Sequence, residues 1–192
     1  MTGPGRPGYD VESLLAVAVE VFNERGYDGT SMGDLSRRLG ISKSAIYHHV
    51  AGKEALLGLA LDRAHEGLLA VAEAVQALDA PAVERLERLV HDSVVVLVRR
   101  LPYVTLLLRV RGNTEVERRA LDRRRHLDHL AAELFAEAAD DGDLRSDVDP
   151  GTAARMLFGL VNSLTEWYRP GRVPASDVVE AAVSLALAGL RA

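Results

Sequence analysis

Residues 31–53 read SMGDLSRRLGISKSAIYHHVAGK, and their spacing decides the fold. Ser31 is placed as an N-cap, with its hydroxyl able to accept from the amide near Asp34. Asp34 puts a carboxylate in the first turn, where the helix dipole favours it. Met32, Leu35 and Leu39 recur at helical spacing. Gly40 suits the left-handed residue that closes a helix, and Ile41 can fold back onto the first helix as the hydrophobic contact after the cap. Ser42 then caps a second helix at once. The turn between has three or so residues, the length of a helix-turn-helix.

The second helix divides its residues by face. Ile46 and Val50, four apart, pack inward on Leu35 and Leu39. Lys43, Ser44, Ala45, Tyr47, His48 and His49 are left outward or sideways, a set suited to a DNA groove. Ala45 permits close approach, Tyr47 and Lys43 reach phosphates, and His48 reaches a base edge or a phosphate. Within the stretch Arg37, Arg38, Lys43 and Lys53 stand against Asp34 alone. Lys53 also starts the next helix, whose first amides point where a phosphate would lie. The expected DNA contacts are therefore Ser31, Arg37, Lys43, Ser44, Ala45, Tyr47, His48, His49 and Lys53. A buried hairpin with a solvated basic face is the alternative, since such hairpins also occur without a DNA-binding role.

A longer run of residues carries a resemblance. Ala18 and Phe22, Arg25-Gly26-Tyr27, Thr30-Ser31, Leu39-Gly40-Ile41-Ser42, Ser44-Ala45-Ile46-Tyr47 and Lys53-Glu54-Ala55-Leu56-Leu57 follow in order. From Leu14 to Leu57 the chain resembles the DNA-binding domain of TetR/AcrR-family transcriptional repressors. It departs at Ser36, where the family usually has alanine, and at His49 and Val50, where it often has two aromatics. The resemblance implies an all-α fold of about nine helices. It divides the chain into an arm at 1–9, a helix-turn-helix domain of three helices at 10–53, and a ligand-binding and dimerisation domain at 54–192. It also implies a homodimer on a palindromic operator, released by a small molecule.

Composition agrees with a soluble globular chain. The 192 residues are about half apolar and carry a net charge of −5, which argues against a protein that coats nucleic acid over its whole surface. Residues 1–53 hold six basic and six acidic side chains, so the acidic excess belongs to the remainder. A neutral head on an acidic body orients the head towards DNA. Cysteine is absent, which removes disulfides and thiolate chemistry and is compatible with the cytoplasm. No apolar run approaches the length of a membrane span, and the first ten residues lack a signal-peptide core.

Beyond the hairpin the periodicity predicts further helices. Asp10 caps one that carries Leu15, Ala18, Val19 and Phe22 and ends at Gly26. Others are expected at 53–78, 82–100, 102–109, 115–139, 150–168 and 175–190, with Thr114 and Pro150 at helix starts. The arginines at 118, 119 and 123–125 read as a salt-bridged face more readily than as a second DNA contact. From Val178 to Gly189 only Glu180 and Ser184 are polar, so the last helix needs cover on more than one face. The helices at 150–168 and 175–190 are accordingly expected to pair with a twofold copy.

In the family resembled, a cavity among the later helices takes the effector. Its expected lining here is His65, His91, Tyr103, Leu107, Arg109, Asn162, Glu166 and Trp167. The ending Trp167-Tyr168-Arg169-Pro170-Gly171 is similar to that of repressors of acyl-CoA and aromatic-acid breakdown, which would bring Arg109 or Arg111 to a coenzyme A phosphate. Asp122, His126, His129 and Glu133 share a helical face, but such sets arise by chance on charged helices, and no metal is expected. No cofactor or catalytic motif is found. The rival reading is an all-helical enzyme or small-molecule-binding protein whose hairpin is structural.

Overall fold

Local capping fixes where the helices start. In the computed structural model, which describes residues 10–191, Asp10 Oδ1 accepts from the Ser13 amide at 2.8 Å and opens α1, Val11–Arg25. The expected arm at 1–9 lies outside the described residues. Ser31 opens α2, Met32–Leu39, with a reciprocal capping box to Asp34. Ser42 opens α3, Lys43–Tyr47. The remaining helices are α4 (Lys53–Gln76), α5 (Ala82–Arg99), α6 (Leu101–Arg109), α7 (Glu115–Asp140), α8 (Pro150–Trp167) and α9 (Ala175–Ala188). Nine helices and no strand occur among the described residues, with one bridge between Leu144 and Arg191. The all-α fold expected from the sequence is the fold observed.

α1, α2 and α3 form the head around Leu14, Leu15, Ala18, Phe22, Leu35, Leu39 and Ile46. Burial of this set is the main force holding three short helices together, since none would be stable alone. α3 has only five residues and stops at Tyr47. Val50 still packs inward, but from the turn after the helix, where its amide bonds to Ile46 O at 3.1 Å.

α4 starts beneath the head and continues into the body, crossing the domain boundary drawn at residue 53. In the body α4 packs on α5, α6 and α7, α7 packs along α8, and α5 along α9. α4 and α5 approach closely at Gly67, where a Cβ would lie 2.8 Å from Val96 Cγ1. The arginines of α7 are largely paired: Arg118 and Arg119 with Glu115, Arg123 with Asp62, and Arg125 with Asp122. That is the salt-bridged face rather than a second groove contact. No described helix is long and apolar enough to cross a membrane.

α9 packs mainly on α5 and touches α8, and each of α8 and α9 leaves a large apolar side chain in the open. Met156 is 71% exposed and Leu185 67%, and open space lies over Gly159 and Gly189. Ala153, Leu157, Val161 and Leu164 of the same α8 point into the body instead.

Candidate nucleic-acid interface and effector cavity

The turn of the head is held by local bonds. Ser31 Oγ donates to Asp34 Oδ2 at 2.5 Å and accepts from the Asp34 amide at 3.2 Å. The Ser31 hydroxyl and amide hold the pKa of the Asp34 carboxyl down to about 2, below its ordinary value, with Arg37 and Arg25 adding to the effect. Gly40 is left-handed at φ 68°, and the amides of Gly40 and Ile41 both return to Ser36 O. Ser36 Oγ donates to Ile41 O at 2.6 Å. The serine that departs from the family pattern thus adds a second tie across the turn.

The nine residues expected at DNA fall into two sets. Ser31 is occupied with its cap, Arg37 pairs with Asp34, and Lys53 Nζ donates to Tyr27 O at 2.8 Å. Lys53 also stands 4.1 Å over the Tyr27 ring, a cation–π contact that fastens α4 to the loop after α1. Its ammonium is thus committed within the fold. Arg38 likewise turns back onto Glu24 and Glu20 of α1. The second set is Lys43, Ser44, Tyr47, His48 and His49, all exposed. None of their side chains makes a hydrogen bond or ion pair among the described residues. Tyr47 is 52% exposed although it is a large aromatic. Ala45 lies half-buried beside them. Lys43 crosses α2 at Gly33, where a Cβ would come 3.3 Å from Lys43 Cε, so the glycine makes room for the lysine stem.

The eight residues expected around an effector are not brought together. A small, partly open cavity of about 40 Å³ lies among α4, α5, α6, α7 and α8. Of the eight, only Leu107 and Asn162 line it. Leu68, Leu97, Val104, Leu127, Phe158 and Val161 supply most of the wall, with Ser93, Arg124 and Asp128 as polar members. Ser93 is 2% exposed and its Oγ has no partner. Burial pushes the Asp128 carboxyl up from its ordinary value, against the pull of Arg124, His129 and Arg155. Sequence reading passed over Ser93 and Asp128 because a polar residue in a helix gives no sign of which helices will converge on it.

The other six lie elsewhere. His65 is buried between α4 and α7, its Nε2 unpartnered beside a 110 Å³ hollow edged by Asp62, Arg119 and Arg123. Burial, with Arg123 nearby, pushes its pKa down. His91 is exposed on α5 and bonds to Asp92 at 2.8 Å. Glu166 and Trp167 are exposed at the end of α8. Tyr103 lies half-buried at the start of α6, where burial raises its pKa.

Arg109 reaches the head: its Nη1 donates to Asn23 O at 2.8 Å. Asn23 Nδ2 in turn donates to Pro102 O at 2.8 Å, so both ends of α6 hold one residue of α1. Beside this junction a 680 Å³ cleft opens between head and body, lined in part by Tyr27, Asp28, Leu108, Arg109, Arg111 and Glu117. No group of three or more His, Cys, Asp or Glu side chains able to hold a metal assembles among the described residues.

Comparison with known proteins matches both halves. Residues 14–60 match the family of bacterial regulatory proteins of the tetR type, and residues 79–190 match the tetracyclin repressor-like C-terminal domain. The crystal structure of SCO3833, a TetR-family member from Streptomyces coelicolor A3, is 50% identical with a TM-score of 0.85, covering 100% of this chain and 96% of that one. The HTH-type transcriptional repressor KstR2 of Rhodococcus jostii (strain RHA1) is 28% identical over 195 residues, 97% of this chain and 93% of its own length. AibR, solved in complex with isovaleryl coenzyme A and operator DNA, is 26% identical with a TM-score of 0.76, covering 91% of this chain and 96% of that one.

Proposed function

Since the chain belongs to the TetR family of transcriptional regulators, we propose that it is a ligand-responsive repressor that binds a palindromic operator as a homodimer in the cytoplasm. The observation that carries this reading is the exposed row on and just after α3. Lys43, Ser44, Tyr47, His48 and His49 are held on a capped, well-packed hairpin, and their side chains make no hydrogen bond or ion pair among the described residues. A duplex supplies what they lack, phosphates for Lys43 and Tyr47 and a base edge or phosphate for His48. Ala45 allows the approach. Ser31, Arg37 and Lys53 act by placing this row, unless the head rearranges on DNA and frees them.

The exposed Met156 of α8 and Leu185 of α9 support the dimer, because a twofold copy would cover them. Two heads then meet successive major grooves about 34–36 Å apart, or a longer helical multiple. On this reading residues 10–53 bind the operator and the remainder binds effector and partner. The effector enters the cavity that Leu107 and Asn162 line. An acyl-CoA or aromatic-acid metabolite fits the arrangement, since Leu108 borders both the apolar cavity and the cleft that holds Arg109 and Arg111. Occupancy favours a body conformation that spaces the heads differently, so affinity falls by the difference in binding energy between the two states.

The test is a titration of the protein with the DNA upstream of its own coding region at two salt concentrations. Salt-sensitive, sequence-selective binding is expected. Unchanged affinity after replacing both Lys43 and Tyr47 by alanine would falsify the role given to α3.

A further inference from the structure

The cavity holds a chemical mismatch. Its wall is mostly leucine, valine and phenylalanine, yet three helices each send a hydrogen-bonding side chain to it: Ser93 from α5, Asp128 from α7 and Asn162 from α8. Ser93 Oγ is buried without a partner. Asp128 makes no ion pair or hydrogen bond among the described residues, although Arg124 lies one turn before it on the same helix and also borders the cavity. Leaving a buried hydroxyl unpaired and drying a carboxylate both cost stability, and an apolar side chain at either place would avoid that cost.

We infer that the part of the effector entering this cavity carries a hydroxyl group, on an alcohol or a phenol, held by Asp128, Ser93 and Asn162. This rests on the reading that the effector binds here, and it narrows the effector's chemistry. A hydroxyl both donates and accepts. It donates to the Asp128 carboxylate and accepts from Ser93, Asn162 or Arg124, so one group answers the whole set. A plain hydrocarbon end would leave Ser93 unpaired and cover part of the half-buried Asp128 carboxyl without a hydrogen bond. A carboxylate in the same place would face Asp128 as a like charge. An acyl or ring portion is thus recognised by its oxygen, and saturated hydrocarbon is rejected because the site's own polar groups would stay unpaired.

The probes are 4-methylphenol and 1,4-dimethylbenzene, which share a shape and differ by a hydroxyl in place of a methyl. Either is larger than the 40 Å³ cavity, so binding is read from the Leu107 and Val161 methyl signals as the walls part. The wild-type protein is expected to bind the phenol about tenfold more tightly, as a hydrogen bond to a charged group implies. In Ser93→Ala and Asp128→Asn variants the preference should shrink to about twofold or less. The Ser93→Ala protein serves where Asp128→Asn fails to fold, because removing an unpaired hydroxyl should not lower its thermal midpoint.

Equal binding of the two probes by the wild type would overturn the hydroxyl inference and leave the cavity standing as an effector site. A preference that survives in both variants would overturn the assignment to these residues. Binding of neither probe would overturn the cavity reading and the inference with it.

Discussion

The head and the cavity treat polar side chains in opposite ways. In the head, Ser31, Ser36, Asp34, Arg38 and Lys53 are each spent on a neighbour, and the unpaired side chains on and just after α3 are at the surface, with Asn23 Oδ1 of α1 the one buried oxygen left over among the described residues. In the cavity, the Ser93 hydroxyl is buried with no partner, and the half-buried Asp128 carboxyl has no hydrogen bond among the described residues, only the distant pull of Arg124, His129 and Arg155. The first arrangement makes a rigid platform whose unused groups face a large external partner. The second stores an unfavourable contact that, on the proposed reading, a small internal partner would relieve. If the effector binds as proposed, stability is concentrated where the protein presents a fixed surface and given up where it responds.

The largest expected effect tests the surface half of this contrast. Lys43→Ala with Tyr47→Ala should lower operator affinity on the order of a hundredfold, since two contacts to phosphate or base are lost. The thermal midpoint should stay put because neither side chain holds the fold. A drop in both, measured by fluorescence anisotropy and calorimetry, would mean the row is structural. A charge placed in the proposed interface of α8 and α9, as Leu185→Arg, should leave the monomer folded and shift sedimentation from dimer to monomer, with operator affinity falling alongside. An unchanged dimer would place the interface elsewhere.

Smaller effects concern the paired and unpaired polar groups themselves. Ser31→Ala removes a cap bonded in both directions and should cost about 1 kcal/mol. Ser93→Ala should have the opposite sign and stabilise the unliganded protein by up to about 1 kcal/mol, because it removes a buried hydroxyl with no partner. Chemical denaturation of the two variants reads this reversal directly, and equal losses in both would erase the contrast.

The smallest is a pH effect at His65. Its pKa in the folded protein is depressed below the ordinary 6.5, so the unfolded chain takes up the proton first as pH falls. Stability contributed by the neutral ring is therefore present above about 6.5 and declines below it, levelling once the folded ring is also protonated. A His65→Gln protein should show a flatter stability profile between pH 7 and 5. A profile identical to the wild type would remove His65 as the cause.

What could be read from the letters was whatever depends on residues three or four apart. Asp10, Ser31, Ser42 and Thr114 announce their helices, and each is found accepting the expected amide. Gly40 is left-handed as its place in the turn requires. The destinations of long side chains were not legible. Lys53 swings to a carbonyl 26 positions away and Arg109 to one 86 away, so a basic residue at the right register was not a free one. The cavity was the least legible of all. Its polar members sit on three helices with no shared spacing, and only packing brings them to one wall. His91 and Trp167 drew notice as unusual residues, but unusual residues need not face inward.

The close contact between Gly67 and Val96 has a mechanical meaning. About fourteen residues of α4 separate this point from Lys53, a distance of roughly 20 Å along a helix rising about 1.5 Å per residue. Leu68, which borders the cavity, is the very next residue. Were α4 to tilt about this contact, the short arm would lie at the cavity and the long arm under the DNA-binding end. A rotation of about 5° there would carry the far end roughly 2 Å by that geometry. A side chain at position 67 would pry the two helices apart and set the resting angle, so this small residue has the leverage to tune how far apart two grooves must lie.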